Sequence, residues 1–478
     1  MNYGKIIHII GVLLQVEGTL MFLSVIVAWI YGEDCWMYLC ATSVGAGILG
    51  TLLRLKKMKR EKFHAKEGFV ITAICWVVLS VVGALPFFFS GAIPSFTDAV
   101  FESASGFTTT GASILKDIEA MPHGLLFWRS FTHWLGGMGV LVFILLVVPS
   151  NADDMYLMKA ESPGPSVEKM LPKVRQTALV LYGIYLGLTV LNIVVLIICG
   201  MPVFDSFCLS FGDAGTGGFG VRNDSIAGYS PACQIVITIF MFLFGVNFKL
   251  YFLLLFRKWK DILKCEEVKW YCIIYCAITA FVVVGILKDV GDFGTALREG
   301  AFQVSSIMTT TGYSTTDFNL WNAMPKAMLV LAMFIGACAG STGGGMKVSR
   351  WILWFKQVRN ELSHFIHPRS VKKIRLEGKA VDQETIRTAN VYLMAYVLVF
   401  IVSLLIISFD GFDLESTFTA VAATQNNIGP GLGVVGPAGG FSEFSILSKL
   451  VMIFDMIAGR LEVFPMLILF APSTWKKM

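Results

Sequence analysis

Gly106-Phe-Thr-Thr-Thr-Gly111-Ala-Ser113 stands between two long apolar stretches, and three more glycine-rich tracts stand in the same setting: Asp213-Ala-Gly-Thr-Gly-Gly218-Phe-Gly220, Met308-Thr-Thr-Thr-Gly312-Tyr-Ser314 and Gln425-Asn-Asn-Ile-Gly429-Pro-Gly431. With Gly111, Gly218, Gly312 and Gly429 taken as equivalent, the spacings are 107, 94 and 117 residues. Internal repetition on this scale sets the architecture before any single motif does. The repeated unit is a helix, a dip too short to cross a membrane, and a second helix.

A second regularity supports the register. Thirteen residues before each glycine stand Asp98, Asp205, Glu299 and, beside Glu415, Ser416; an aromatic follows at Phe101, Phe207, Phe302 and Phe418. An acidic or hydroxyl group there suits the N-terminus of a short descending helix, where it meets unpaired N–H groups and the positive dipole end.

Working outward, 55% of the residues are hydrophobic and only 15% charged, against about 25% charged in a soluble domain. Lipid is therefore the expected solvent, and the lack of strand-period alternation argues against a barrel. Apolar runs long enough for roughly 20-residue helices fall near 6–30, 36–53, 68–90, 124–149, 177–200, 231–256, 269–287, 326–357, 390–409 and 445–472. The first is too long for a signal peptide's apolar core and has no small-residue cleavage site behind it, so it is kept as a span. The ten cysteines contain no CxxC pair and are read as core thiols. The net charge of +5 does not imply nucleic acid, because the bases cluster in loops after even-numbered spans: Arg54 to Lys66, Arg257 to Lys264 and Arg369 to Lys379. Under the positive-inside rule those loops, and the N-terminus, are cytoplasmic.

Irregular backbone at membrane depth is tolerated only where it is buried in protein or lines a watery cavity. Four tracts therefore share one interior site, each following a short helix whose negative end points inward. No charged residue occurs from Ser103 to Leu115, Ala214 to Val221, Gln303 to Thr316 or Ser416 to Ser442. Neutral carbonyl and hydroxyl oxygens suit a weakly hydrated monovalent cation better than a divalent one. The candidate ligands are Thr109, Thr110 and Gly111; Thr216, Gly217 and Gly218; Thr310, Thr311 and Gly312; and Asn427, Ile428 and Gly429.

Span eight is interrupted by Gly336-Ala-Cys-Ala-Gly340-Ser-Thr-Gly343-Gly-Gly345. Each glycine costs about 1 kcal/mol against alanine in a helix, so the helix is expected to break near mid-membrane; close helix packing through small residues is the alternative. Arg460 lies within span ten, where insertion costs about 2.5–3.5 kcal/mol. It reads either as functional or as a local ion pair with Asp455 or Glu462. Arg129 and His133, Asn247, Lys249 and Glu17 are read as polar helix contacts.

Nearly the whole chain resembles the Trk/Ktr/HKT superfamily of potassium transporters, most closely its TrkH branch. The resemblance rests on the four tracts, Trp134-Leu-Gly-Gly-Met-Gly139, Gly245-Val-Asn-Phe248, Ala339-Gly-Ser-Thr-Gly-Gly-Gly-Met-Lys347 and Gly459-Arg-Leu-Glu462, and on the helix pair at 6–53. It implies tracts related to the potassium-channel TVGYG loop, with glycine in all four favouring potassium over the sodium-tolerant members that carry serine in the first. It also implies an intramembrane gate formed by Gly340, Ser341, Thr342, Gly343, Gly344, Gly345 and Lys347, with Arg460 projecting into the pore nearby. A homodimer regulated by a cytosolic ring of TrkA-type nucleotide-binding subunits, in a bacterial inner membrane, follows from the resemblance alone.

The expected fold is an all-α polytopic membrane protein: an N-terminal helix pair plus four pseudo-symmetric helix–pore loop–helix repeats around one central pore. The expected divisions are 1–64 for the helix pair and 65–160, 161–263, 264–380 and 381–478 for the repeats. The resemblance implies potassium as the transported substrate, and no covalently bound cofactor is expected. Gly215-Thr-Gly217-Gly-Phe-Gly220 fits G-x-G-x-x-G but lacks its flanking strand and helix, and Gly340–Lys347 misses the P-loop spacing. An organic-solute carrier would show broken helices in matching pairs, whereas the sequence shows one clear break. No HExxH, GxSxG or intramembrane carboxylate pair supports an enzyme.

Overall fold

The computed structural model describes residues 3–55, 65–137, 139, 174–369 and 373–475. Two helices, α1 (Tyr3–Ile30) and α2 (Trp36–Arg54), form the leading pair, and repeat one follows as α3 (Ala65–Phe89), the short α4 (Phe96–Phe107) and α5 (His123–Gly137). Repeat two comprises α6 (Val174–Ile198), the short α7 (Val203–Gly215), α8 (Pro231–Phe244) and α9 (Phe248–Leu255). Repeat three comprises α10 (Glu266–Val290), the short α11 (Phe293–Met308), α12 (Ala323–Ile335) and α13 (Val348–Ile366). Repeat four comprises α14 (Gln383–Ile407), the short α15 (Leu414–Gln425), α16 (Ile446–Arg460) and α17 (Phe464–Phe470). Among the described residues the strands are confined to a two-residue antiparallel pair, Arg375–Leu376 with Lys379–Ala380, in the loop before α14.

Six described helices are long and apolar enough to cross a membrane alone. Their outward faces are apolar as well: Leu186, Val190 and Val194 on α6 and Leu398, Val402 and Leu405 on α14 are exposed, as expected where lipid replaces water. The other expected spans are made of shorter pieces. Span four is a helix to Gly137, and its expected continuation through 140–149 lies outside the described residues. Span eight breaks between Ile335 and Val348, at the glycine run.

Two further breaks correct the reading that the interruption in span eight is single. Span six bends by 91° between α8 and α9. There Gly245 ends one helix, and the Asn247 side chain caps the next by accepting from the Lys249 N–H at 2.9 Å. Span ten breaks after Arg460, where Glu462 and Val463 have φ of 55° and 69°. Hydropathy registers apolar side chains and not backbone sign, so both breaks are hidden inside apolar runs.

The leading pair packs backbone to backbone. A Cβ at Gly18 would stand 2.5 Å from the Ser43 carbonyl and one at Gly11 2.7 Å from that of Gly50, while Ser43 Oγ donates to the Gly18 carbonyl at 2.6 Å. The loop between the two helices is tied to repeat one through Glu33, whose carboxylate accepts from the backbone of His123 at 2.7 Å and of Gly124 at 2.9 Å. Burial alone would raise the Glu33 pKa, but these N–H bonds and the His123 ring hold it below the usual carboxylate range. Glu33 thus completes the first turn of α5 from another element.

The short helices start with different devices. Ser95 caps α4 by accepting from Asp98, and Asp413 caps α15 by accepting from Ser416 at 3.2 Å. Asp98, Asp205 and Glu415 lie in first turns, as expected. Glu299 does not: α11 begins earlier, at Asp292, which accepts from Thr295 at 2.7 Å and leaves Glu299 mid-helix.

Candidate functional site

All four short helices end in the same way. The N–H two residues before the tract glycine returns to the carbonyl three residues earlier: Thr109 to Gly106 (3.1 Å), Thr216 to Asp213 (3.0 Å), Thr310 to Ile307 (3.1 Å) and Asn427 to Thr424 (3.3 Å). The next N–H returns five residues: Thr110 to Ser105 (2.9 Å), Gly217 to Gly212 (2.7 Å), Thr311 to Ser306 (2.8 Å) and Ile428 to Ala423 (2.8 Å). This is the Schellman pairing, whose left-handed position is usually glycine. Here it is held by Thr109, Thr216, Thr310 and Asn427, with φ of 56°, 56°, 60° and 58°. A β-branched residue in that region is strained by roughly 1–2 kcal/mol, and such strain gathers at functional sites. Two residues later Gly111, Gly218, Gly312 and Gly429 are also left-handed, at 79°, 78°, 86° and 96°. Alternating handedness turns successive N–H groups to one side and leaves successive carbonyls facing the other.

The tracts close into a ring. A Cβ built on Gly111 would strike the carbonyl oxygen of Gly217, one on Gly218 that of Thr311, one on Gly312 that of Ile428, and one on Gly429 that of Thr110. In each case the neighbour is the residue just before the next tract's glycine, and the fourth tract returns to the first. The four helix C-termini and four lines of carbonyls therefore meet on one axis.

Above the ring lies a cavity of ≈ 210 Å³ lined by all four glycines and by Ser113, Ser225, Ser314 and Pro430. Beneath it lies the loop between α12 and α13. Gly344 N–H donates to Thr310 Oγ1 at 2.6 Å, and a Cβ on Gly344 would meet the Asn426 carbonyl at 2.6 Å. The loop is also fastened to repeat two, where Cys338 N–H donates to the Gly245 carbonyl (3.1 Å) and Phe248 N–H to that of Gly340 (3.0 Å). Lys347 folds back to donate to the Gly343 and Gly344 carbonyls. Arg460 joins the loop to repeat one, donating to Thr342 O at 2.7 Å, Gly136 O at 2.5 Å and Gly137 O at 2.6 Å.

The sequence model of the TrkH family, described as a cation transport protein, matches residues 38–477. The chain belongs to the TrkH family. It is 37% identical to the Trk system potassium uptake protein TrkH of Salmonella typhimurium and 36% identical to that of Escherichia coli K12, covering all of both chains in each case. The crystal structure of the potassium transporter TrkH from Vibrio parahaemolyticus matches with a TM-score of 0.89 at 34% identity, again over the full length of both chains.

Within this TrkH-family fold every residue expected from the tracts lies on the ring or one turn below it, and the glycine run of span eight lies directly under it. Of the two carboxylates considered as local partners of Arg460, Glu462 pairs with Arg350 and Asp455 accepts from Ser403 Oγ at 2.7 Å. Lys249 pairs with Glu377 at 3.6 Å, away from the axis. Glu17 is buried and has no hydrogen-bond partner among the described residues.

Sequence reading understated Arg129 and His133. His133 Nδ1 donates to the Gly106 carbonyl at 2.7 Å, and Nε2 accepts the Phe219 N–H at 3.2 Å, so one ring joins tracts one and two. Arg129 bridges the same two tracts. Glu102, not singled out from sequence, is its partner at 2.6 Å. Asn427 also does more than supply backbone, since its Nδ2 donates to Thr110 Oγ1 at 2.9 Å and closes the seam between tracts four and one.

Proposed function

We propose that this chain carries potassium across a bacterial inner membrane, inward along the membrane potential, through a filter made of Thr109, Thr110, Gly111, Thr216, Gly217, Gly218, Thr310, Thr311, Gly312, Asn427, Ile428 and Gly429. The observation that carries the reading is the closed ring of left-handed glycines, each against the carbonyl of the next tract. A ring of carbonyls replaces the hydration shell of a weakly hydrated monovalent cation without fixed negative charge. Four helix C-termini add their dipoles at the same place. Each ion gains about 2.3 kcal/mol per 100 mV of potential. The potassium named for the relatives and the absence of charged residues from the tracts support potassium as the substrate.

The barrier in this reading is the loop containing Gly340, Ser341, Thr342, Gly343, Gly344 and Gly345, held by Lys347 and Arg460. Its support is position, hydrogen-bonded as it is to repeats two and three and through Arg460 to repeat one. Gating then consists of breaking these bonds, and a cytosolic partner is the natural source of the work. Arg257, Lys258, Lys260, Lys264, Arg369, Lys373, Arg375 and Lys379 are exposed in the loops assigned to the cytoplasm, which suits docking of a TrkA-type nucleotide-binding ring on a homodimer of this chain, N-terminus inside. The Trk system named for the relatives points the same way.

Cation flux into liposomes holding the purified protein tests the reading. Potassium and rubidium are expected to enter well ahead of sodium and lithium; equal entry of all four would overturn the filter assignment.

A further inference from the structure

We infer that the buried Glu102–Arg129 pair is a positioning device that holds the outer legs of tracts one and two apart at a fixed spacing, and that potassium-over-sodium discrimination depends on it. The inference rests on the filter reading above. Glu102, on α4, is 1% exposed, and its carboxylate serves tract one: Oε1 accepts from Ser113 Oγ and Oε2 from the Ile114 N–H, both at 2.9 Å. Oε1 also accepts from Arg129 Nε at 2.6 Å. Arg129, on α5 and 2% exposed, serves tract two: NH1 donates to the Gly220 carbonyl at 2.9 Å, and the guanidinium lies 3.5 Å from the centroid of the Phe219 ring.

The pair thus joins residues two and three past Gly111 to residues one and two past Gly218. Ser113, Gly220 and Arg129 itself line the cavity above the ring. Other seams carry different bridges: Tyr313 OH donates to Leu209 O at 2.9 Å between repeats two and three, Gly433 N–H donates to Asn319 Oδ1 at 2.9 Å and Lys326 pairs with Glu415 at 3.6 Å between three and four, and Lys449 pairs with Asp98 at 2.7 Å between four and one. A planar guanidinium can engage a carboxylate, a carbonyl and an aromatic face at once, which an ammonium cannot. Fixing the Gly220 carbonyl keeps tract two from moving inward. A ring free to contract would close around the smaller sodium ion and lose its preference.

The closing experiment measures the potassium-to-sodium permeability ratio of purified, monodisperse protein in liposomes, with the parent and Gly111→Ser alongside. Arg129→Lys keeps the charge opposite Glu102 but loses the fork, and is expected to lower the ratio about tenfold at unchanged yield. Glu102→Gln combined with Arg129→Met removes both buried charges together and is expected to do the same. Ser113→Ala, which leaves both charges in place and removes only the hydroxyl's bond to Glu102, is expected to lower the ratio two- to threefold and supplies the answer if the first two fail to fold. An unchanged ratio in the folded variants, while Gly111→Ser loses selectivity, overturns the brace and leaves the filter standing. A parent that does not discriminate overturns the filter reading itself.

Discussion

At the scale of single residues the closest constraints lie at the tract glycines. A serine at 111 would combine a φ of 79° with a Cβ driven into the Gly217 carbonyl, and one at 312 would meet the Ile428 carbonyl and stand 3.0 Å from Pro430 Cδ. The neighbouring tract must yield, so Gly111→Ser and Gly312→Ser are each expected to reduce the potassium-to-sodium permeability ratio roughly tenfold, about 1.4 kcal/mol. Liposome flux with both cations checks this, and an unaltered ratio at normal yield would remove these glycines from the filter. Arg460 is constrained differently, through three carbonyls on two elements. Hydrogen bonds from a charged donor are worth roughly 1.5–3 kcal/mol each. Arg460→Ala is therefore expected to raise basal potassium flux per molecule severalfold, with Arg460→Lys intermediate because it keeps charge but not the fork. Flux that falls or stays level per folded molecule would make Arg460 a brace without a gating role.

At the scale of elements the loop between α12 and α13 is the longest of the breaks described within an expected span. Deleting residues 343–345 removes the groups that bond Thr310 and Lys347. Basal flux is expected to rise, and a folded deletion variant with parental flux would reject the loop as the barrier. This loop was legible in the sequence because a run of glycines, each about 1 kcal/mol worse than alanine in a helix, opposes helix, and the four tracts were legible because their spacing repeats. The other breaks were not. Val463 is β-branched and apolar, so its φ of 69° has no trace in composition, and Asn247 looks like any polar residue until the helix it caps is seen. The brace escaped for a different reason: Glu102 lies 27 residues from Arg129, and Arg129 lies 91 from Gly220, so only the closed ring brings the three together. Likewise threonine in a left-handed turn contradicts its own preference, and local rules fail where the fold stores strain.

At the scale of the whole molecule, orientation is the open geometric property, and charge argues for it. Lys116, beside the outer cavity, and Lys260, in a basic loop after α9, are both exposed. In a cysteine-free background, Lys116→Cys is expected to react with a membrane-impermeant maleimide added to intact cells, and Lys260→Cys only after permeabilisation; the reverse pattern would invert the topology. The ring described above also changes the arithmetic of variation. In a pore assembled from four identical chains, one substitution is copied four times, and its effect on the conduction path arrives at full dose or not at all. Here one polypeptide supplies four unlike quadrants, with Gly217 and Gly218 in one where Ile428 and Gly429 stand in another. In the filter proposed above, a point mutation therefore reaches a single quadrant, and the passing ion feels an off-centre perturbation of one quarter the dose. Ion preference can accordingly drift in small increments, one wall at a time, while the remaining three walls keep the path open.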